Sequence, residues 1–206
     1  MLSAGARQGY RVREMAELHG LLLTGGTSRR MIVDKATLRF GTSTLAAHAA
    51  RALVAIADPV LAVGHEAGTG LETVDDPKEG PLVALVVGAD ELAARGATGP
   101  IVLLGCDIPL ISPHMLSHIA AALDGHDAAV PDVDGRPQPM VGCYAQSAIA
   151  VARDLVAREH RAMHELLAHI DLFQVRDWHD AGGPEELIDV DTPEDLEEAR
   201  HHAGYP

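Results

Sequence analysis

The sequence predicts a single-domain α/β protein with a Rossmann-like, three-layer α/β/α architecture and a mostly parallel sheet. Its 206 residues suffice for one domain with a sizeable core. Short apolar runs alternate along the chain with stretches of helical periodicity, which is typical of βαβ units. Hydrophobic residues make up 47% of the chain but aromatic residues only 3%, so aliphatic side chains build the core. That composition suits helices packed on a parallel sheet.

Each element of this architecture is predicted from a local pattern. Apolar runs predict seven strands, at residues 20–24, 59–63, 71–74, 101–104, 128–131, 140–144 and 172–176. Helical spacing predicts six helices, the first capped by Thr42 or Ser43, and the others at residues 82–95, 113–123, 149–158, 162–170 and 193–201. Gly96 is expected to stop the second helix and Pro113 to lie in the first turn of the third. Helices between strands imply right-handed crossovers.

Composition excludes several classes of partner. A net charge of −14 argues against nucleic acid, because binding to a phosphate backbone requires a broad basic face. No apolar run approaches the roughly 20 residues of a membrane span. The two cysteines, Cys106 and Cys143, are too few for a disulfide framework, so we expect free thiols and a cytoplasmic location.

The amino-terminal segment does not resemble a signal peptide, since Met1–Glu14 has no apolar stretch followed by a small-residue cleavage site. We expect residues 1–17 to form a flexible leader, with Met15 a second candidate for the start of the protein. Residues 18–206 are then expected to form the folded domain.

Positive charge is concentrated in residues 21–41 of this acidic chain. Asp34 is the single acid there, and we expect it to pair with Arg30 or to cap a turn. Such a segment is typical of a protein that binds a small anion, although uneven surface charge alone would produce the same pattern. The cations of the segment are Arg29, Arg30, Lys35 and Arg39.

Two adjacent glycines end the first predicted strand. Gly25 and Gly26 would let the backbone approach a phosphate and direct its N–H groups inward, without a Cβ in the way. Arg29 and Lys35 would then neutralise triphosphate charge, the arginine through a forked contact and the lysine as a point charge. The spacing is not that of a Walker loop, and a Gly-Gly pair by itself is usually only a turn.

The segment Leu23-Thr-Gly-Gly-Thr-Ser-Arg-Arg-Met31, followed by Asp34-Lys35, resembles the opening signature of the molybdenum cofactor guanylyltransferases. These belong to the MobA-type nucleotidyltransferases, which have a nucleotide-diphospho-sugar transferase-like fold. The resemblance covers roughly residues 18–199. It continues through Asp75-Asp76, Gly80-Pro81-Leu82, Cys106-Asp107-Ile108-Pro109, Pro139, and Asp189-Val-Asp-Thr-Pro-Glu-Asp195.

Asp107 is the candidate magnesium ligand. It stands at the carboxyl-terminal tip of a predicted buried strand, where a hard carboxylate suits Mg²⁺ bound to a nucleotide phosphate. Pro109 stiffens the turn that holds it. The alternative is that Asp107 only caps a turn. We expect the neighbouring Cys106 to pack under the sheet rather than to react.

Two later motifs supply further candidate ligands. The resemblance implies that Asp191 faces the acceptor or a second metal; the family usually has asparagine there, and Asp191 or Thr192 would also serve as a helix cap. Asp76 corresponds to the acid that contacts the nucleotide, with Asp75 the alternative, and an Asp-Pro pair also starts turns. Gly80–Pro81 would open a helix whose amino terminus points at the ligand.

Three residues depart from the family pattern. Thr24 replaces the usual alanine, Ile32 replaces a glycine, and Gly64 stands where an asparagine contacts the base. The Gly25-Gly26 pair resembles the guanylyl rather than the cytidylyl branch, which favours GTP. The resemblance thus implies a nucleotide site formed by Leu23, Thr24, Gly25, Gly26, Lys35, Asp76, Gly80 and Asp107, with Arg29, Lys35 and Asp107 as the catalytic set.

The resemblance implies transfer of GMP from GTP to the terminal phosphate of Mo-molybdopterin, with Mg²⁺ as cofactor and release of pyrophosphate. Transient contact with molybdenum-cofactor-handling proteins is also implied. A phosphate nucleophile is already ionised at neutral pH, so no general base is required. The alternatives are cytidylyl transfer to molybdopterin, guanylyl transfer to a phospholactate-like acceptor, and a catalytically silent nucleotide-binding module. A dinucleotide-dependent oxidoreductase is excluded, because no third glycine follows the pair in register.

Overall fold

The computed structural model describes residues 17–25 and 34–205. The predicted leader, apart from Glu17, lies outside the described residues. So do Gly26, Arg29, Arg30 and Ile32 of the opening signature.

The described residues form ten strands and six α-helices. The strands are β1 (His19–Leu23), β2 (Arg39–Phe40), β3 (Ser43–Thr44), β4 (Val60–Val63), β5 (Glu72–Val74), β6 (Ile101–Gly105), β7 (Ala128–Val133), β8 (Arg136–Pro137), β9 (Val141–Tyr144) and β10 (Leu172–Val175). The helices are α1 (Leu45–Val54), α2 (Pro81–Ala94), α3 (Pro113–Ala121), α4 (Gln146–Ala157), α5 (Met163–Leu167) and α6 (Pro193–His202).

The central sheet has the strand order β10-β7-β9-β6-β1-β4-β5, with the short β8 paired to β7. Its pairs are parallel except those of β9, which is antiparallel to both β6 and β7, and that of β8. The prediction of a mostly parallel sheet is therefore confirmed. Strands β1, β4, β6 and β7 point the same way, so their carboxyl ends meet along one edge, where ligands bind in such sheets.

Helices cover both faces of this sheet, which confirms the three-layer architecture. One core joins α1 and α3 to the sheet, and a second joins α2, α4 and α5 to its other face. Within β1, Leu22 contributes to the first core and Leu21 and Leu23 to the second. A strand buried on both faces needs a continuous apolar run, and that is why the runs predicted the strands.

The predicted cap of the first helix is wrong by one to two residues. Thr44 is the N-cap, and its hydroxyl accepts a hydrogen bond from the N–H of Ala47 at 3.1 Å. Ser43 and Thr44 instead pair with Arg39 and Phe40 in a small antiparallel ribbon, which delays the helix to Leu45. This ribbon was not predicted, because two-residue strands leave no periodicity to detect.

The other helices differ from their predicted bounds by up to three residues, and α4 begins at Gln146 rather than at residue 149. Gly96, at φ +89°, follows the end of α2, and Pro113 opens α3. The helix predicted at residues 162–170 is shorter, since α5 ends at Leu167. None of the helices in the described ranges is long and apolar enough to cross a membrane.

Candidate active site

Polar and glycine residues from several segments meet at the carboxyl edge of the sheet. They follow β1, β4, β5 and β6, or precede α6, and they form two adjoining features. One is a cavity and the other is an acidic cluster with a lysine. The residues are Thr24, Gly25, Asp34, Lys35, Gly64, His65, Asp75, Asp76, Asp107, Asp189 and Asp191.

Three carboxylates form the acidic cluster. Asp107, Asp189 and Asp191 each offer an oxygen, and these oxygens all lie within 4.8 Å of one another. The N–H of Val190 donates to the carbonyl of Asp107 at 2.9 Å, so the segment before α6 is fastened directly to the end of β6. Partial removal of water around Asp189, then the negative charges of Asp107 and Asp191, raise its pKa to about 7. The cluster therefore holds more negative charge than it can easily stabilise alone.

Lys35 places a positive charge against this cluster. Its Nζ lies 3.4 Å from Oδ2 of Asp107 and donates a hydrogen bond to Oδ1 of Asp191. Burial of the ammonium would lower its pKa, but the hydrogen bond to Asp191 and the charges of Asp107 and Asp189 outweigh that effect and raise it. Lys35 is thus a fixed cation at neutral pH, held where the resemblance places a triphosphate.

The turn that carries Lys35 is set by the residue before it. Asp34 is the N-cap of a short 3₁₀ helix over Lys35–Thr37, and its Oδ1 accepts from the N–H of Ala36 at 3.1 Å. The prediction that Asp34 caps a turn is confirmed. Its other predicted partner, Arg30, lies outside the described residues.

A cavity of about 600 Å³ lies beside the cluster at the same edge of the sheet. Its size and its mixture of apolar walls with a few convergent polar groups are typical of small-molecule sites. It contains four of the predicted nucleotide-binding residues, Leu23, Gly25, Asp76 and Gly80. Its lining is Leu23, Gly25, Asp34, Gly64, His65, Asp75, Asp76, Lys78, Gly80, Pro81, Ala84 and Met140.

Close backbone approach shapes one wall of the cavity. A Cβ at Gly25 would overlap the carboxylate of Asp76, and a Cβ at Gly64 would overlap the backbone of Gly25. Gly64 also has φ +127°, which L side chains rarely adopt. This wall therefore requires glycine at position 64, where the family usually has asparagine.

Both aspartates of the Asp75-Asp76 pair line the cavity, but they differ in their contacts. Asp76 lies against Gly25, and its Oδ1 accepts from the N–H of Lys78 at 2.8 Å, as expected for a residue that starts a turn. Asp75 is exposed. Asp76 is thus the better placed of the two to act beside Gly25, and its contact with a nucleotide stays a prediction.

Thr24 fastens the end of β1 to the segment after β4. Its side chain is buried, and its hydroxyl donates to the carbonyl of His65 at 2.8 Å and accepts from the N–H of His65 at 3.0 Å. The hydroxyl that distinguishes Thr24 from the family alanine therefore has a structural use. The imidazole Nε2 of His65 in turn lies 2.6 Å from Oδ2 of Asp34.

The hydrogen bonds at the start of α6 show whether Asp191 or Thr192 caps the helix. The hydroxyl of Thr192 accepts from the N–H of Asp195 at 3.2 Å, and the carboxylate of Asp195 accepts from the N–H groups of Asp191 and Thr192. This reciprocal arrangement is a capping box. Asp191 is not the cap, and its carboxylate contacts Lys35 instead.

Sequence reasoning missed three residues of the site. Asp189 was quoted only within a motif, although residues two apart on an extended segment point to the same side, and that spacing with Asp191 would have indicated it. His65 and Met140 carried no motif, because their roles depend on which strand ends meet. The predicted packing of Cys106 is confirmed, since it is buried and burial raises the pKa of its thiol.

The donor set of the cluster fits Mg²⁺. Carboxylate oxygens are the hard ligands that this ion prefers, and three of them converge from two segments of the chain. Desolvation and then repulsion from Asp107 and Asp191 raise the pKa of Asp189, and a divalent cation would relieve the repulsion.

Comparisons with known proteins agree with this fold. A family model described as the MobA-like NTP transferase domain matches residues 20–176. The chain is 29% identical over 202 residues to a "Probable molybdenum cofactor guanylyltransferase" of Natronomonas pharaonis, covering 90% of this chain and 98% of that relative. It is 27% identical over 195 residues to a "Molybdenum cofactor guanylyltransferase" of Rhizobium leguminosarum bv. trifolii, covering 89% and 92%.

Among solved structures, the fold is similar to that of molybdopterin-guanine dinucleotide biosynthesis protein A from Archaeoglobus fulgidus. The TM-score is 0.73 over 90% of this chain and 98% of that chain, at 18% sequence identity. This similarity confirms the predicted nucleotide-diphospho-sugar transferase-like fold.

Proposed function

Because the chain belongs to the family of MobA-like NTP transferase domains, we propose that it transfers GMP from GTP to the terminal phosphate of Mo-molybdopterin, releasing pyrophosphate. The product is the molybdopterin guanine dinucleotide cofactor. The observation that carries the proposal is Lys35 held against Asp107 and Asp191 beside a preformed cavity at the carboxyl edge of the sheet.

The residues of the site divide the work of the reaction. Gly25, with no Cβ, leaves room for the carboxylate of Asp76 beside the cavity, and its N–H donates to the carbonyl of Val63 at 3.0 Å, not inward as the sequence predicted. The fixed ammonium of Lys35 would offset triphosphate charge. Asp107 and Asp191, joined by Asp189, would hold Mg²⁺, which when bound supplies a Lewis acid for phosphate oxygens. The acceptor phosphate is ionised at neutral pH, so its attack on the α-phosphate requires no base.

We propose that Arg29 adds a second positive charge beside Lys35. A forked guanidinium contact to the triphosphate would add to Lys35 as pyrophosphate departs. Gly26 would let the backbone after β1 approach a phosphate, and Gly80 would place the amino terminus of α2 toward the ligand.

The base and the acceptor rest on the relatives and on the Gly25-Gly26 pair, and we propose GTP and molybdopterin. The alternatives are CTP with molybdopterin, GTP with a phospholactate-like acceptor, and nucleotide binding without turnover. We place the reaction in the cytoplasm, with transient contact to molybdenum-cofactor-handling proteins. The catalytic domain would comprise residues 18–206, preceded by the leader at residues 1–17.

The test is pyrophosphate release with Mg²⁺ and each NTP in turn, with and without Mo-molybdopterin. We expect release only with GTP and the acceptor together, and its loss in Asp107→Ala and Lys35→Ala. Asp90→Asn is the matched control, because Asp90 is also a carboxylate in an ion pair, with Arg153 at 2.7 Å, on the exposed side of α2.

Each other outcome has a defined meaning. Release with a different NTP or acceptor would keep nucleotidyl transfer and replace the substrate. Tight GTP binding without release for any pair would replace the proposal with a silent nucleotide-binding module.

A further inference from the structure

His65 contacts both walls of the cavity. Through its backbone it exchanges two hydrogen bonds with the hydroxyl of Thr24, next to Gly25. Through its side chain it meets Asp34, next to Lys35, with Nε2 2.6 Å from Oδ2. His65 and Asp34 both line the cavity. His65, which lies outside every predicted motif, thus joins the wall at Gly25 to the wall at Asp34 and Lys35.

The segment that carries His65 is itself anchored. The carboxylate of Glu66 accepts from the N–H groups of Gly68 at 2.9 Å and Gly70 at 2.6 Å, closing a turn directly after His65. The carbonyl of Ala67 accepts from the hydroxyl of Thr44, the N-cap of α1, at 2.7 Å. These bonds hold the segment of His65 independently of Asp34, so the position of His65 does not depend on that contact.

Asp34 is the member whose position has consequences for the site. It precedes Lys35 directly, and its two carboxylate oxygens have different partners: Oδ1 caps the turn at Ala36, and Oδ2 meets His65. The cap fixes the shape of the turn, and the contact with His65 fixes where the turn stands relative to Gly25. The ammonium of Lys35 is held separately by Asp107 and Asp191.

We propose that His65 is a positioning residue that sets the separation of the Gly25 and Asp34–Lys35 walls, so that the cavity is preformed for a nucleoside triphosphate. The inference rests on the proposed function for the identity of the ligand. It assigns to His65 an action through Asp34 rather than a contact with the base.

The expected effect falls on nucleotide binding more than on turnover. Without the side chain of His65, the free protein samples other separations of the two walls, and binding must restore the correct one. We expect His65→Ala to raise the Kd and the KM for the NTP about tenfold and to change kcat less than about threefold. His65→Gln retains a side-chain N–H donor for Asp34 and should recover most of the affinity.

A double-mutant cycle separates positioning from direct contact. Asp34→Ser keeps a good capping oxygen for Ala36 but is too short to reach His65. We expect it to weaken NTP binding as much as His65→Ala, with little further loss in the double variant. His126→Ala is the control, because His126 forms a similar pair with Asp171 at 3.0 Å, outside the active site, and it should leave Kd and KM unchanged.

The binding measurement uses the complete chain and whichever NTP the wild-type protein binds in calorimetry. A loss in His65→Ala without a loss in Asp34→Ser, or additive losses, would overturn the proposal in favour of direct contact. Unchanged affinity in His65→Ala would overturn it as well.

A second readout needs no ligand, so failure of the proposed function is distinguishable from failure of this inference. In two-dimensional NMR spectra of the free protein, the amide signals of Gly25 and Lys35 should shift in His65→Ala and return toward their original positions in His65→Gln. If they do not move, positioning by His65 is contradicted whatever the substrate is.

Discussion

The two halves of the active site depend on different physical properties, one on close packing and the other on charge. The wall formed by Thr24, Gly25 and Gly64 depends on missing side chains and on backbone approach. The cluster of Lys35 with Asp107, Asp189 and Asp191 depends on opposed charges held at short range. An added methyl group would overlap neighbouring atoms in the first half. Removal of charge at constant size would unbalance the second half.

The largest effect is expected where charge is removed. Lys35→Met keeps most of the side-chain volume but leaves the developing charge on the phosphates without its fixed cation. Removal of one such preorganised group typically costs about 10²–10³ in kcat. Steady-state pyrophosphate release measures it, with circular dichroism to confirm folding. Arg153→Met, which removes a cation from a surface pair, should retain full activity.

A side chain added to the shape-based wall should cost stability and affinity together. Gly64→Asn installs the family residue, but its Cβ would overlap the backbone of Gly25, and φ +127° is unfavourable for it. We expect a loss of about 1–3 kcal/mol in the free energy of unfolding and weaker GTP binding. Denaturant unfolding and calorimetry measure both.

Gly70→Asn is the control for that variant. Gly70 also has positive φ, at +71°, but a Cβ added there would meet nothing within 4 Å. The change should therefore affect stability and GTP binding much less. Equal losses in the two variants would show that conformation alone, rather than contact with Gly25, makes Gly64 necessary.

A smaller effect is expected where only a hydroxyl is removed. Thr24→Val preserves the shape of the side chain but leaves the N–H and carbonyl of His65 without their partner. The expected loss is about 1–2 kcal/mol in the free energy of unfolding. Thr73→Val, on the exposed face of β5, is the matched control and should be close to neutral. A neutral Thr24→Val would contradict a structural role for this departure from the family.

The smallest effect is expected at the start of α5. Bonds from the N–H of Ala162, then from His160, lower the pKa of Glu165 to about 2. A carboxyl group whose pKa is lowered in the folded state stabilises the protein at pH values above its unfolded-state pKa, near 4.5. That contribution is lost as the pH falls toward 2. Glu165→Gln should therefore have a lower Tm than wild type at pH 7. The difference should shrink between pH 4.5 and pH 2, and a constant difference would contradict this assignment.

The same contrast explains how much was visible in the sequence. The strands were predicted because burial on both faces imposes an apolar run, and Asp107 was indicated because it ends such a run. Lys35 and Gly25 lie close enough along the chain to form one motif. In each case the physical constraint acts over a few neighbouring residues.

What the sequence did not reveal depends on distant segments meeting. His65 matters because β4 lies beside β1, which brings it to Thr24 and Asp34. Asp189 joins the cluster because its segment bonds to the end of β6. The reversal of direction before β9 occurs at Asp134 and Gly135, a two-residue turn between β7 and β8 in which both residues have positive φ. An Asp-Gly pair is a local signal for such a turn, whereas no local periodicity encodes the placement of His65 or Asp189.

The most direct test of the proposed reaction follows the phosphorus atoms of GTP. The protein is incubated with Mg²⁺, Mo-molybdopterin and GTP labelled at either the α- or the γ-phosphate. Nucleotidyl transfer predicts that the α-label enters the pterin product and that the γ-label leaves in pyrophosphate, with neither occurring in Asp107→Ala. Transfer of the γ-label to the acceptor, or its release as inorganic phosphate with GDP, would contradict the account.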